Sequence, residues 1–341
     1  MEKKNLDWAN LGFSYMVTDK RYVADWKDGR WSEGALISDP EVRISECAGI
    51  LQYCQEVFEG LKAYTTKDGA IVTFRPDLNA ERMIDSARRL EMPAFPKERF
   101  LDAIDQVVRA NAAYVPPYGS GATLYLRPYL FATGPVIGVK PADAYQFRVF
   151  ATPVGPYFKG GVKPLTLCVS EFDRAAPRGT GHVKAGLNYA MSLHANVQAH
   201  AAGFDENLFL DSATRTFVEE TGGANLLFIT RDGALVTPES PSILPSITRR
   251  SLMTVAEEIL GMRVEHRPVR FSELRDFAEA GLCGTAAVIS PVGRVVCGEE
   301  VISLPSGMAQ MGPVLQKLYD TLTGIQMGTV PAPEGWIRRI L

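Results

Sequence analysis

One lysine, Lys184, sits among small and apolar residues: 179–193 reads Gly-Thr-Gly-His-Val-Lys-Ala-Gly-Leu-Asn-Tyr-Ala-Met-Ser-Leu. An amine held in a crowded, poorly solvated turn loses its proton more easily, and the neutral amine is a nucleophile toward carbonyl carbon. Gly179, Gly181 and Gly186 let the backbone adopt conformations that a side chain would forbid. Read alone, Lys184 also fits a solvated loop lysine ahead of a helix, so its chemistry depends on what else the chain supplies.

A lysine that forms a Schiff base with a phosphorylated cofactor needs an anion cradle. Helix N-termini provide one, because free N–H groups and the helix dipole point at the phosphate. Ser246-Ile247-Thr248-Arg249, after Pro245, is such a start, and is equally a plain Ser N-cap. Gly284-Thr285-Ala286 offers backbone N–H groups before a strand, or simply a turn. Arg82 is a third anion-binding candidate, or half of a surface ion pair with Asp85 three residues on. A pyridine-type ring also needs a carboxylate to keep its nitrogen protonated. Glu219-Glu220, before Thr221-Gly222-Gly223, supplies two, or is simply a solvated strand end; strand alternation predicts that only one of them reaches inward.

The elements that must position these groups follow from periodicity. Residues 51–64 read as a strand-like region. Asp68-Gly69 is a turn into a strand at 71–74. Pro76-Asp77 opens a helix with Ala80, Met83, Ile84, Ala87 and Leu90 at helical spacing, and Pro93 lies past its end. A second helix spans 97–113, with Phe100, Leu101, Ile104, Val107 and Val108 on one face. Strands follow at 123–132 and 145–152. Beyond them come a strand at 165–170, a helix at 188–202 capped by Gly203, and strands at 207–210, 214–218, 225–230 and 235–237. A helix at 245–260 turns Leu252, Val255, Ala256 and Ile259 inward. Strands at 264–269, 286–290 and 294–302 and a helix at 307–322 complete the chain. The Gly- and Pro-rich stretch 154–164 reads as a connection between a smaller α/β domain, 1–153, and a larger β-rich domain, 165–341. The fold class is α+β.

Totals narrow the function. The chain has 341 residues, 46% hydrophobic and 22% charged, enough for two globular domains. A net charge of −3 without a basic block argues against nucleic acid as a partner. Five cysteines without a Cys-x-x-Cys pair suit reduced thiols and a cytoplasmic location. Neither a signal-peptide core nor a membrane-length apolar run is seen. Four histidines without HExxH give a metal site no support.

An ordered set of segments spans almost the whole chain. It comprises Phe58-Glu59-Gly60-Leu61-Lys62-Ala63-Tyr64, Phe74-Arg75-Pro76 with Asn79-Ala80-Glu81-Arg82-Met83, and Leu124-Tyr125-Leu126-Arg127-Pro128. It continues through Val154-Gly155-Pro156-Tyr157-Phe158, Lys184-Ala185-Gly186-Leu187-Asn188-Tyr189 and residues 220–225. It ends with Ile243-Leu244-Pro245-Ser246-Ile247-Thr248-Arg249-Arg250 and Gly284-Thr285-Ala286. In this set the chain resembles the branched-chain amino-acid aminotransferases, pyridoxal 5'-phosphate (PLP) enzymes of fold type IV. The resemblance implies an active site between the two domains. It implies that Lys184 carries PLP as a Schiff base, that Glu220 pairs with the ring nitrogen and that Tyr189 bonds the phenolic oxygen. Arg82, Ile247, Thr248 and Thr285 would hold the phosphate. Thr285 and Ala286, with Tyr125, would hold the substrate α-carboxylate. Arg127 would meet the side-chain carboxylate of glutamate, and Tyr53, Phe58 and Tyr157 would wall the branched side chain. The implied reaction is amino transfer between leucine, isoleucine or valine and 2-oxoglutarate, by at least a homodimer. Alternatives are a D-amino-acid aminotransferase, an aminodeoxychorismate lyase or a non-catalytic PLP-binding protein. Animal members carry a Cys-x-x-Cys pair where this chain has Ala287 and Ser290, so no thiol switch is expected there.

Overall fold

The computed structural model describes residues 2–155 and 163–341. These fall into two units. The first holds residues 2–155, Val183–Leu187 and Ile325–Leu341; the second holds 163–182 and Asn188–Gly324. The division thus differs from a single cut at 154–164: the lysine segment and the C-terminal residues belong with the first unit. The reason is packing. Val183, Ala185 and Ile340 are buried in the first unit's core.

The first unit is built on an antiparallel sheet. Its strands are β1 (Arg21–Lys27), β2 (Arg30–Trp31), β3 (Ala35–Ile37), β4 (Glu56–Phe58), β5 (Leu61–Thr65), β6 (Ile71–Phe74), β7 (Thr123–Ala132), β8 (Tyr145–Val154) and, last in the chain, β17 (Ile337–Arg339). The order is β17-β6-β5-β7-β8-β1-β2, with β3 on β1 and β4 on β7. Alternation along β7 sets the two faces. Leu124, Leu126 and Leu130 are fully buried in the core, while Tyr125, Arg127 and Tyr129 project from the other face, half-buried. Helices α2 (Pro76–Arg89) and α3 (Lys97–Ala110) cover the core face. In α3, Phe100, Ala103, Ile104, Val107 and Val108 form the buried stripe, and Phe95 stacks on Phe147 of β8 with centroids 3.9 Å apart. The strand-like reading of 51–64 is corrected. Helix α1 (Gly49–Tyr53) comes first, and Cys54 in the left-handed region (φ 51°) turns the chain into β4. Leu51, Gln52 and Tyr53 are exposed, so no alternating face is available to bury there.

The second unit carries a mixed sheet: β9 (Leu165–Val169), β10 (Glu206–Leu208), β11 (Asn225–Thr230), β12 (Leu235–Pro238), β13 (Val264–Arg267), β14 (Phe277–Gly284), β15 (Val288–Cys297) and β16 (Glu300–Ser303). The order is β10-β9-β15-β14-β11-β12-β13, with β16 on β15. Helix α4 (Gly186–Ala201) ends at Gly203 with φ 85°, as its glycine predicts. Sequence patterning misses β14, whose Phe-Ala-Glu-Ala-Gly-Leu-Cys-Gly is poor in strand formers. Pairing with β11 on one side and β15 on the other holds it. The expected strand at 214–218 is instead a turn gathered on Asp211, whose carboxylate accepts the N–H groups of Thr214, Thr216 and Phe217. The strands expected at 286–290 and 294–302 are one strand, β15, folding back into β16 through Gly298. The helix expected at 245–260 is α5 (Ile247–Thr254) followed by a π-turn over Val255–Ile259. The extra residue in that turn rotates Ile259 outward to 40% exposure, against the expectation that it packs inward. The final helix is α6 (Pro313–Gln326), later than the expected 307–322.

Candidate active site

In the first unit, Lys184 lies just before α4, half-buried, with its backbone tied to two elements. Its N–H donates to Ser86 Oγ of α2 at 3.0 Å, and its carbonyl accepts the Phe58 N–H of β4 at 3.0 Å. Its Nζ stands 4.7 Å from the centroid of the Phe58 ring. The Arg127 guanidinium also lies 4.7 Å from that centroid, and its Nη2 donates to Tyr125 Oη at 3.0 Å. The sheet explains the grouping: Phe58 pairs with Tyr129 across β4 and β7, while Tyr125 and Arg127 share the same face of β7. Gly60 makes room for the phenol, since a Cβ there would lie 2.3 Å from Tyr125 Oη. Lys62, opposite Tyr125 in β5, is buried, and burial pushes its amine down to about 8.

Arg82 is not half of a surface pair. It is buried, and its Nε and Nη2 meet both oxygens of the fully buried Glu59 at 2.8 and 2.7 Å. Asn79 adds a bond to Glu59 Oε2 at 2.7 Å. Asp85 instead approaches Arg88, at 3.9 Å. Positions 79, 82 and 86 recur at helical spacing beside the apolar 80, 83 and 87, so α2 carries a buried polar stripe. That stripe is the signal that could have found Ser86. Tyr53 is 39% exposed; its hydroxyl donates to the Ile137 carbonyl and its ring lines a cavity of about 350 Å³ with Arg89, Leu90 and Leu187. Tyr157 lies outside the described residues.

In the second unit, Glu220 is fully enclosed. Its Oε1 accepts the Leu244 N–H at 2.9 Å and lies 2.8 Å from Arg174 Nη1; its Oε2 accepts from Asn225 at 2.7 Å. Burial pushes its carboxyl up to about 6, with Arg174, the Leu244 N–H and Arg249 pulling the other way. Arg174 was not visible as a site residue in the sequence. It lies 46 positions before Glu220 and is held by the Gly181 and Ser242 carbonyls. Gly181 is needed for that approach, because a Cβ would sit 2.2 Å from the Ser242 oxygen. The pair is not a solvated strand end, and Glu219 does not point away from the interior as alternation predicts for one of the two. It is buried too, accepts the Ser240 hydroxyl at 2.6 Å, and burial raises its carboxyl.

Ile247 and Thr248 form the first turn of α5, both buried, with Ser246 as N-cap accepting the Arg249 N–H at 3.2 Å. Their N–H groups belong to the helical turn that has no intrahelical acceptors. Thr285 and Ala286 lie in the turn from β14 to β15, closed by Val288 at φ 65°. A β-branched residue in the left-handed region is strained, and such strain collects where a ligand dictates the backbone. Tyr189 stands in the first turns of α4, half-buried, and His182 is exposed.

The donor set suits a phosphorylated pyridine aldehyde: an amine, a buried guanidinium, helix-start N–H groups and a buried carboxylate. Around Glu220, the buried Arg174 Nε and Asn225 Oδ1 have no hydrogen-bond partner among the described residues, so the surroundings of the carboxylate hold further polar capacity. Among the described residues no group of His, Cys, Asp and Glu could hold a metal ion, and no helix is long and apolar enough to cross a membrane.

Residues 56–295 match the model of the Amino-transferase class IV family. The chain is 51% identical to the branched-chain-amino-acid aminotransferase of Haemophilus influenzae, covering 99% of each. Among solved structures it resembles the branched-chain amino acid aminotransferase of Thermobaculum terrenum in its PLP form, with TM-score 0.77, 26% identity, and 96% of this chain and 100% of that one covered. The T.th. branched-chain amino acid aminotransferase complexed with N-(5'-phosphopyridoxyl)-L-glutamate matches with TM-score 0.79, 27% identity, and 96% and 100% coverage. With a family match over residues 56–295 and 51% identity along nearly the whole of a named relative, the chain belongs to the class IV aminotransferases, among the branched-chain aminotransferases of fold type IV.

Proposed function

We propose that this aminotransferase moves an amino group reversibly between L-leucine, L-isoleucine or L-valine and 2-oxoglutarate, using PLP carried on Lys184. The observation that supports it most is the Phe58 ring, with an amine and a guanidinium each 4.7 Å from its centroid. An apolar ring beside a cation suits a site that must take a branched side chain and a carboxylate side chain in turn. The glutamate adduct in the T.th. enzyme agrees with glutamate as one of the two amino donors.

The bound cofactor supplies an electron sink that acidifies the substrate Cα proton. Lys184 Nζ takes and returns that proton, acting as a positioned general base and acid. Arg82, the Ile247 and Thr248 N–H groups and Thr285 hold the phosphate; Glu220 holds the ring nitrogen and Tyr189 the phenolic oxygen. Thr285, Ala286 and Tyr125 orient the α-carboxylate. Arg127 receives the second carboxylate of glutamate, and Phe58, Tyr53 and Tyr157 exclude water from the side chain. The working form is a cytoplasmic homodimer. The test is an absorbance spectrum of purified, PLP-loaded protein. A yellow species that bleaches with L-leucine and L-glutamate but not with D-alanine is expected. Bleaching by D-alanine alone would overturn the assignment, and so would full turnover in Lys184→Ala.

A further inference from the structure

Glu56 is a half-buried carboxylate with no part in the chemistry above. It lies two residues before Phe58 in β4, and the intervening Val57 is fully buried on the opposite face. Alternation therefore puts Glu56 and Phe58 on one face of the strand, the face on which Phe58 meets Lys184 and Arg127. Its Oε2 accepts the Gly186 N–H at 2.9 Å. Gly186 is the first residue of α4, so this is an orphan N–H at a helix start, where a negative charge is favoured. A Cβ at Gly186 would lie 2.5 Å from that oxygen, so the glycine makes room for Glu56. Together with Ser86 and the Phe58 N–H, Glu56 ties residues 184–186 to the rest of the first unit at three points.

Among the described residues, two opposite charges act on it. Arg127 on β7 and Lys184 both act on Glu56 as opposite charges, and Tyr129 on β7 is the neutral titratable neighbour. Burial raises the Glu56 carboxyl, while the Gly186 N–H, Arg127 and Lys184 hold it down. Two cations against one aromatic ring repel each other, and a lone guanidinium would favour dicarboxylates over branched substrates. One fixed negative charge offsets both effects.

We propose that Glu56 is a positioning residue that fastens the Lys184 segment and sets the balance between branched-chain and dicarboxylate substrates, by holding one negative charge against Lys184 and Arg127. This rests on the roles proposed above for those two residues. In the PLP-loaded enzyme, Glu56→Gln keeps an oxygen for the Gly186 N–H and removes the charge. The pH midpoint of the yellow absorbance, measured without substrate, should fall by about half a unit or more, because the protonated state loses its counter-charge. KM for 2-oxoglutarate should drop about threefold relative to KM for the leucine-derived keto acid. Glu56→Asp, which keeps the charge, should retain the wild-type midpoint. An unchanged midpoint and KM ratio in Glu56→Gln, with wild-type absorbance normal, would overturn the Glu56 role alone. Absence of any Lys184-dependent absorbance in the wild-type protein would instead overturn the reading beneath it.

Discussion

Among the described residues each unit encloses one arginine–glutamate pair, and the two are wired differently. In the first unit, Arg82 grips Glu59 with two nitrogens, and Asn79 occupies the carboxylate further. In the second, Arg174 reaches Glu220 with one nitrogen at 2.8 Å and shares that same nitrogen with two carbonyls. A bidentate pair saturates its carboxylate, which makes Glu59 an anchor that orients the guanidinium. A single contact leaves the carboxylate under-neutralised, and burial lifts it to about 6. Identical residue types would thus serve opposite ends: in the proposed function the cation is the working group of one pair and the anion that of the other.

Substitutions that remove charge without volume should separate the two pairs. Glu220→Gln should cost about a hundredfold or more in kcat, because the group proposed to face the ring nitrogen loses its charge. Cofactor affinity in the same variant should change less than turnover; steady-state kinetics and PLP titration measure the two. Glu59→Gln should reverse that order. Cofactor affinity should drop roughly ten- to hundredfold as the Arg82 guanidinium loses its charged clamp, with a smaller effect on kcat at saturating PLP. Equal profiles for the two variants would erase the distinction.

A pH series sharpens it further. In the proposed role the carboxylate form of Glu220 pairs with a protonated ring nitrogen, so PLP retention on gel filtration should weaken as pH falls through about 6. For the cofactor-free chain the sign is opposite. A carboxyl raised above its unfolded value stabilises the fold below the ordinary carboxylate range, and that contribution is lost as pH rises through about 6. Urea unfolding with and without PLP across this range should show the two trends diverging. The smallest effect belongs to Glu219→Gln, expected within about twofold of wild type in kcat, since its bond from Ser240 survives with an amide oxygen. A loss matching that of Glu220→Gln would move the ring-nitrogen role to Glu219.

Much of this was legible in the chain itself. Helices α2 and α3 follow from 3.6-residue periodicity, β7 from a run rich in strand formers, and the end of α4 from Gly203, because each is a local rule acting over a few residues. The order of short motifs around Lys184, Arg82 and Glu220 carried the family. Other features required the folded chain. Glu59 finds Arg82 across 23 residues, and Arg174 finds Glu220 across 46. No periodicity links such distant positions; only the packing of α2 on its sheet and the loops around Glu220 bring them together. Strand β14 forms because two neighbours pair with it, although its own residues favour no strand. The glycines near Lys184 show the same limit. Their presence marked a crowded backbone, but only the tertiary structure shows that Gly186 yields space to Glu56 and Gly181 to the Ser242 carbonyl. A glycine in sequence records that something approaches closely; which group does so is set by long-range packing.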